Sequence, residues 1–275
     1  MTAKRVAIVT GGARGIGAAI SEALARDGVH VAMGYSANRA AADDLAGKLT
    51  AEGLSVSVHQ GNVGQPDDCQ RVADDVLAAQ GRIDYLVNNA GVTVDKTVRK
   101  MTIDDWHAVL RINLSGAFYM TKAVLDHMLG NRFGRIVNIS SMAGQTGNIG
   151  QANYAASKAG LFGFTKSLAL EVARKGITVN CVAPGYTDTE MVAAVPKDVL
   201  EKVVATIPVG RRGHSREIAR AVPVPGRRRR RLHHRQRHLG QRRAGDVMDN
   251  TPLAHPAPAD AVAGAEDAGP GELCQ

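Results

Sequence analysis

From residue 5 to residue 182, short apolar segments rich in β-branched residues alternate with longer amphipathic ones, with a repeat of about 25 to 30 residues. The apolar segments are Arg5–Val9, Val29–Met33, Leu54–His59, Ile83–Val87, Arg135–Ile139 and Ile177–Val182. Between them lie helix-like stretches at Ile16–Arg26, Ala40–Glu52, Pro66–Gln80, Asp104–Leu129 and Tyr154–Arg174. A strand that is apolar throughout is buried on both faces, as in a parallel sheet covered by helices. The alternation therefore predicts a Rossmann-type α/β fold, a doubly wound parallel sheet in a single domain. Ligands of such sheets sit outside the carboxyl ends of the strands, so chemistry is expected just after each one.

Composition bounds the alternatives. With 44 % hydrophobic and 22 % charged residues, the 275-residue chain can fill a core and is not a disordered polymer. It has no apolar run of the roughly 18 residues a membrane span needs, and MTAKRVAIVT carries no signal-peptide pattern, so a soluble cytoplasmic protein is expected. Cys69, Cys181 and Cys274 stand far apart without metal-ligand spacing, which argues against a zinc ribbon or disulfide framework and for a reducing compartment.

The net charge of +8 invites a nucleic-acid partner until it is located. Residues 223–275 hold nine arginines (227–231, 235, 237, 242 and 243) against six acids, a net of +3, with six of the ten prolines and no aromatic residue. Residues 1–222 keep 25 basic and 20 acidic residues, a net of +5. The boundaries expected are a catalytic domain at 1–222 and an aberrant tail at 223–275.

After the first strand comes Thr10-Gly11-Gly12-Ala13-Arg14-Gly15-Ile16-Gly17, opening the first helix. Glycines there permit a tight turn and the close approach of a pyrophosphate to the free N–H groups of a helix start. Gly11, Arg14, Gly15, Ile16 and Gly17 are the candidate phosphate-binding residues; a glycine-rich turn without a ligand is the plainer alternative. An NAD site carries an acid at the end of the second strand for the ribose hydroxyls. Here Met33-Gly34-Tyr35-Ser36-Ala37-Asn38-Arg39 has none, while Arg14, Ser36 and Arg39 can bind a 2′-phosphate. NADPH is the expected cofactor, unless both arginines are ordinary surface residues.

Catalysis is assigned to Ser141, Tyr154 and Lys158. Positions i and i+4 share a helix face, so Tyr154 and Lys158 point the same way. A neighbouring ammonium favours phenolate, and is expected to draw the tyrosine towards working pH as a general acid for a carbonyl becoming an alkoxide. Ser141 follows a strand and can donate to the same oxygen.

These segments together resemble the short-chain dehydrogenase/reductase family along residues 4–222: TGGARGIG (10–17), NNAG (88–91), Asn113, Ser141, YAASK (154–158) and PG (184–185). The resemblance implies that Asn88, Asn89, Ala90 and Gly91 support cofactor and sheet. It implies that Asn113 holds a water in a proton relay through Lys158, and that Lys158, like Tyr154, meets the nicotinamide ribose. Asn62 and Val63 would lie near the adenine, with Pro184, Gly185 and Thr189 beside the nicotinamide and its phosphates. Two residues depart from the pattern: Asn62 replaces a common aspartate, and Thr187 a usual aliphatic residue.

Within the family, GNVG (61–64), RKMT (99–102), GQANY (150–154) and DVLEKVVATIPVGR (198–211) resemble acetoacetyl-CoA reductases of polyhydroxybutyrate synthesis, with 3-oxoacyl-carrier-protein reductases close behind. The resemblance implies a thioester on CoA or an acyl-carrier protein, flanked by Asp95, Asn148, Ile149, Gly150 and Gln151, with Tyr186 near the acyl chain. It also implies a homotetramer and no metal.

The pattern breaks at the tail. Ser215 is expected to cap an amphipathic helix that Pro223 and Pro225 then stop. The family continues that helix into a last strand that closes the sheet, and no such strand is visible here. Yet arginine codons CGN read one nucleotide later become GNC. Leu232–Arg243 can then read Phe-Ile-Thr-Gly-Ser-Val-Ile-Ser-Val-Asn-Gly-Gly, a β-rich terminus. A one-nucleotide insertion near codon 223 is the expected origin, the competing readings being a solvated tail of no function and a polyanion- or nucleic-acid-binding tail.

Overall fold

The computed structural model describes residues 4–189, 197–222 and 246–248. Six parallel strands form the sheet: β1 (Val6–Val9), β2 (His30–Tyr35), β3 (Val56–Gln60), β4 (Tyr85–Asn88), β5 (Gly134–Ile139) and β6 (Ile177–Ala183). Their order, β3-β2-β1-β4-β5-β6, reverses direction between β1 and β4, which opens a crevice at the carboxyl ends of those two strands.

Helices α1 (Gly15–Arg26) and α2 (Arg39–Ala51) cover one face. Helices α3 (Pro66–Gln80), α5 (Gly116–Gly130) and α7 (Ala152–Val172) cover the other. Side chains alternate across β1 accordingly. Ala7 and Val9 join Ile20, Leu24 and Leu49, whereas Val6 and Ile8 join Val76, Met120 and Leu168.

The helical stretch expected at Asp104–Leu129 is three pieces in one rod: α4 (Ile103–Leu110), a π-helical turn at Arg111–Ser115, and α5. Thr102 caps α4 and its hydroxyl accepts from Asp105 N–H, while the Asp105 carboxylate accepts from Thr102 N–H. Beyond β5 lie α6 (Ala143–Thr146) and, after β6, a two-strand pair of β7 (Thr187–Asp188) with β8 (Gly213–His214). Helix α8 (Lys197–Thr206) precedes β8, and α9 (Ser215–Ala219) follows it.

Two expectations are corrected at the C-terminal side. His214, not Ser215, is the cap of α9, because its backbone N–H is taken by Glu217; Ser215 instead donates its hydroxyl to the Asp188 carbonyl. Ile218, Ala219 and Val222 are nevertheless buried on the α1 face. The sheet edge expected to lie bare carries β9 (Asp246–Met248), three residues antiparallel to Cys181–Ala183. A strand edge offers its N–H and C=O groups to any extended segment, whatever its side chains, so a piece of the aberrant text can pair there. The rest of residues 223–275, the arginine run included, lies outside the described residues.

Candidate functional site

The crevice between β1 and β4 is a cavity lined by Gly11, Arg14, Ser36, Asn62, Val63, Ala90 and Gly91, among others. Its floor is the glycine-rich turn. Gly11 holds a φ of +60°, in the left-handed region that side chains avoid. At Gly17 a Cβ would run into the Gly11 carbonyl oxygen and lie 2.6 Å from Asn89 Nδ2. Helix α1 starts at Gly15 with no side-chain cap and no acid in its first turn, which leaves its positive end for an anion. Ile16 packs partly buried against the core on that face.

Thr10, which the sequence did not single out, ties this turn to the NNAG segment. Its hydroxyl accepts from the backbone N–H groups of Asn89 and Ala90, each at 3.0 Å, while Asn89 Nδ2 donates to the carbonyls of Thr10 and Gly11. Asn88 is turned inward, with its amide donating to Thr121 and Asn138 between the sheet and the helices. A second omission is Asp68 on α3. Its carboxylate accepts from Asn62 N–H at 2.8 Å, and Asn62 Oδ1 in turn accepts from Gly64 N–H, which fixes the loop on the cavity wall. The Asn62 backbone and Arg71 hold the Asp68 carboxyl below the usual range.

Arg14 and Ser36 reach the cavity, but Arg39 does not. It begins α2 exposed, outside the lining, with Nε paired to Asp43 at 3.2 Å. Thr189 closes the opposite side: a Cβ built on Gly15 would be 3.4 Å from its methyl group. Pro184 is buried; its carbonyl accepts from Met142 N–H, and Gly185 follows it at the end of β6.

The catalytic candidates converge at the ends of β5 and α7. Lys158 is buried, and its Nζ donates to the Ile139 carbonyl at 2.8 Å. Burial pulls its ammonium down to about 8. Tyr154 lies one turn earlier, with Lys158 Nζ 5.7 Å from its ring centroid. Burial pushes the Tyr154 phenol up; the Ser141 hydroxyl hydrogen-bonded to it opposes that shift, and Asp95 adds to it. The expected lowering by Lys158 is thus not what this geometry gives, because the ammonium is spent on a strand carbonyl and the phenol is desolvated.

Asn113 sits buried in the π turn. Its amide donates to the Val92 carbonyl and Ser157 Oγ, and its oxygen accepts from Val92 N–H at 2.8 Å. A Cβ on Gly91 would stand 3.3 Å from Asn113 Oδ1 and 3.4 Å from Lys158 Nζ, so these three residues meet at one point. π turns recur where an extra residue is needed to aim a side chain at a site.

At the rim, Gln151 Nε2 donates to Asp95 at 2.8 Å, and Asn148 Nδ2 donates to Gln151 Oε1 at 2.9 Å. Lys96 N–H donates to the Gly150 carbonyl, so the two expected substrate loops are clasped together. Ile149 is 94 % exposed at the tip, an apolar side chain facing solvent beside a polar clasp. Tyr186 is partly exposed, with its carbonyl fixed by Gly213 N–H.

Comparison with known proteins finds that a family model described as short chain dehydrogenase matches residues 5–200. An acetoacetyl-CoA reductase of Shinella zoogloeoides is 53 % identical over 219 residues, covering 79 % of this chain and 89 % of that protein. One from Cupriavidus necator is 49 % identical over 216 residues, 78 % of this chain and 88 % of its own. A 3-oxoacyl-[acyl-carrier-protein] reductase of Salmonella typhimurium is 44 % identical over 218 residues, 79 % and 88 % of the two chains.

Proposed function

The chain belongs to the short-chain dehydrogenase family, and on that premise we propose that it reduces acetoacetyl-CoA to (R)-3-hydroxybutyryl-CoA, with NADPH as cofactor. It is an oxidoreductase acting on a CH–OH/C=O group. The observation that carries the reading is the meeting of Ser141, Tyr154 and Lys158 beside a glycine-floored cavity at the switch point of the sheet.

The cavity suits a nicotinamide dinucleotide. A side chain at Gly17 would fill the turn, α1 presents uncapped N–H groups, and Asn62 and Val63 line the end where an adenine would lie. The cofactor, when bound, supplies the hydride. NADPH rather than NADH is favoured because Arg14 and Ser36 line the cavity at the end of β2, where Tyr35–Asn38 contain no carboxylate to repel a 2′-phosphate.

Tyr154 gives its proton to the substrate oxygen as the carbonyl becomes a hydroxyl, and Ser141 donates a hydrogen bond that holds that oxygen in place. Lys158, kept in position by Ile139, resupplies the proton, with Asn113 and Gly91 shaping the point where it is handed on. Asp95, Gln151 and Tyr186 position the thioester at the rim.

A CoA thioester is favoured over a carrier-protein one by the higher identity to acetoacetyl-CoA reductases, 53 % against 44 %. The test is NADPH oxidation with acetoacetyl-CoA and, in parallel, with acetoacetyl-carrier protein. Faster turnover on CoA is expected; preference for the carrier-bound substrate overturns the assignment, and turnover of neither overturns the reductase reading.

A further inference from the structure

A row of polar side chains crosses the β2–β3 edge on the sheet face covered by α3. Ser55 Oγ lies 2.8 Å from His30 Nδ1, His30 Nε2 lies 3.1 Å from Ser57 Oγ, and Ser57 Oγ lies 2.9 Å from His59 Nε2. The register builds it: Ala32 pairs with Ser57 and Gly34 with His59, so every second residue of both strands faces α3. Ala32 and Gly34 take up almost no room, and the two imidazoles bridge over them. His59 lines the cavity beside Gly34, Asp68 and Val72, while His30 is buried at the far end.

The row constrains its own protons. Ser57 has one hydroxyl hydrogen and stands between two ring nitrogens. If it donates to His59, it must accept from His30 Nε2–H; if it donates to His30, it must accept from His59 Nε2–H. The two Nε2 atoms that face it therefore cannot both lack hydrogen: a bare Nε2 on one ring requires Nε2–H on the other. In the second arrangement His59 Nδ1 is unprotonated, so the row takes up one proton there with all three hydrogen bonds intact. A second proton would set two imidazolium rings against a shared serine.

We propose that this row is the proton-sharing wall of the adenosine end of the dinucleotide site, and that covering it with the adenosine expels a proton from His59 to solvent. The proposal rests on the reading that the cavity takes a dinucleotide. Burial is already the dominant influence on both rings, holding each below its ordinary value of 6.5. The facing charges come second to burial: at His59, Asp75 of α3 raises and Arg71 lowers, while at His30 both His59 and Lys4 lower. Asp68 is engaged by Asn62 N–H and Arg71. Further loss of water at His59 therefore pushes the same way and releases the proton. Cofactor affinity should weaken as pH falls through the lowered value of His59, under 6.5, by at most roughly tenfold per pH unit for one linked proton.

The experiment is calorimetric titration of the full chain with NADPH between pH 8 and 5.5, in two buffers of different ionisation enthalpy, alongside His59→Asn. At pH 6 the unsubstituted chain is expected to release more protons than the variant, and to lose at least about threefold more affinity between pH 7.5 and 5.5. The titration of the 2′-phosphate itself, near pH 6, is common to both and cancels. Should the variant fail to fold, NMR of the His59 ring in the unsubstituted chain decides: its titration must move to lower pH on adding NADPH. Tight binding with parallel pH profiles, or proton uptake, overturns the row and leaves the dinucleotide reading standing. Absence of NADPH binding at pH 8 overturns both.

Discussion

The Lys158 ammonium is held by the Ile139 carbonyl at 2.8 Å, at the very end of β5, and not by the tyrosine it shares a helix face with. A helix side chain is thereby anchored to the sheet. Ser140 repeats the link in reverse, donating its hydroxyl to the Lys158 carbonyl at 2.7 Å. The end of β5 and the second turn of α7 are locked together where Ser141 and Tyr154 must face one another.

Burying Lys158 has a pH signature. Its folded value of about 8 lies below the ordinary 10.5. Below pH 8 the group is charged in both states and the cost of burying that charge is fully present. Between 8 and 10.5 the unfolded chain binds more protons, so stability rises with pH. Relative to Lys158→Met, the unsubstituted chain should gain roughly 1–2 kcal/mol between pH 8 and 9.5. Urea unfolding of both proteins at three pH values checks this; a constant gap would place the lysine in contact with water.

Tyr154→Phe removes the acid while keeping the ring in its half-buried seat. kcat should fall at least about 10²-fold, with NADPH affinity nearly unchanged. Steady-state oxidation of NADPH and fluorescence titration of the cofactor separate the two effects, and near-normal turnover would remove Tyr154 from the chemistry.

Gly17→Ala drives a methyl group into the Gly11 carbonyl and against Asn89. Overpacking of this kind costs about 1–3 kcal/mol, and the turn that yields is the phosphate-binding one. About tenfold or greater loss of NADPH affinity is expected, since each 1.4 kcal/mol is a factor of ten. Unaltered binding would show that the turn does not carry the phosphates.

Thr102→Ala deletes the cap of α4. The expected cost is about 1 kcal/mol, or roughly 2–4 °C in Tm for a domain of this size. Because Asp105 also pairs with Lys96 on the loop that carries Asp95, KM for the thioester should rise as well. Thermal melts and substrate titration read the two consequences independently.

The six parallel strands were legible in the sequence because a parallel sheet buried on both faces demands β-branched runs, and each of the six falls within two residues of its run; the short β7, β8 and β9 had no such run. The glycine-rich turn and the Tyr154–Lys158 pair were legible because spacing alone sets their geometry. Thr10 and Asp68 were not: their work is to accept backbone N–H groups from segments brought close only by folding, and single threonines and aspartates carry no spacing signal. Arg39 is expected at the cofactor by charge; the structure places it exposed at the start of α2, with its Nε paired to Asp43.

The tail poses a genetic question with a physical answer. We expect the gene, read one nucleotide later from about codon 223, to encode the helix end and β-rich strand that the protein text lacks. DNA sequencing tests this, and a next-frame text without that strand refutes it. The frame-corrected chain should be more soluble and more active than this one, since among the described residues β9 pairs only with the Cys181–Ala183 end of β6. Size-exclusion and NADPH oxidation of both chains give the comparison; equal behaviour would make the terminus dispensable.

The π turn at Arg111–Ser115 makes the α4–α5 rod one residue longer than an unbroken α-helix between the same two ends. That surplus residue turns everything after it by about 100°. The rod thus works like a shaft with an offset key: α4 keeps its phase towards α7, and Asn113 is aimed at Val92 and Ser157. Deleting Arg111 or Ile112 would let the rod relax into the more stable helix and rotate Asn113 off its partners. For this segment, the length that folds best and the length that serves the site differ by a single amino acid.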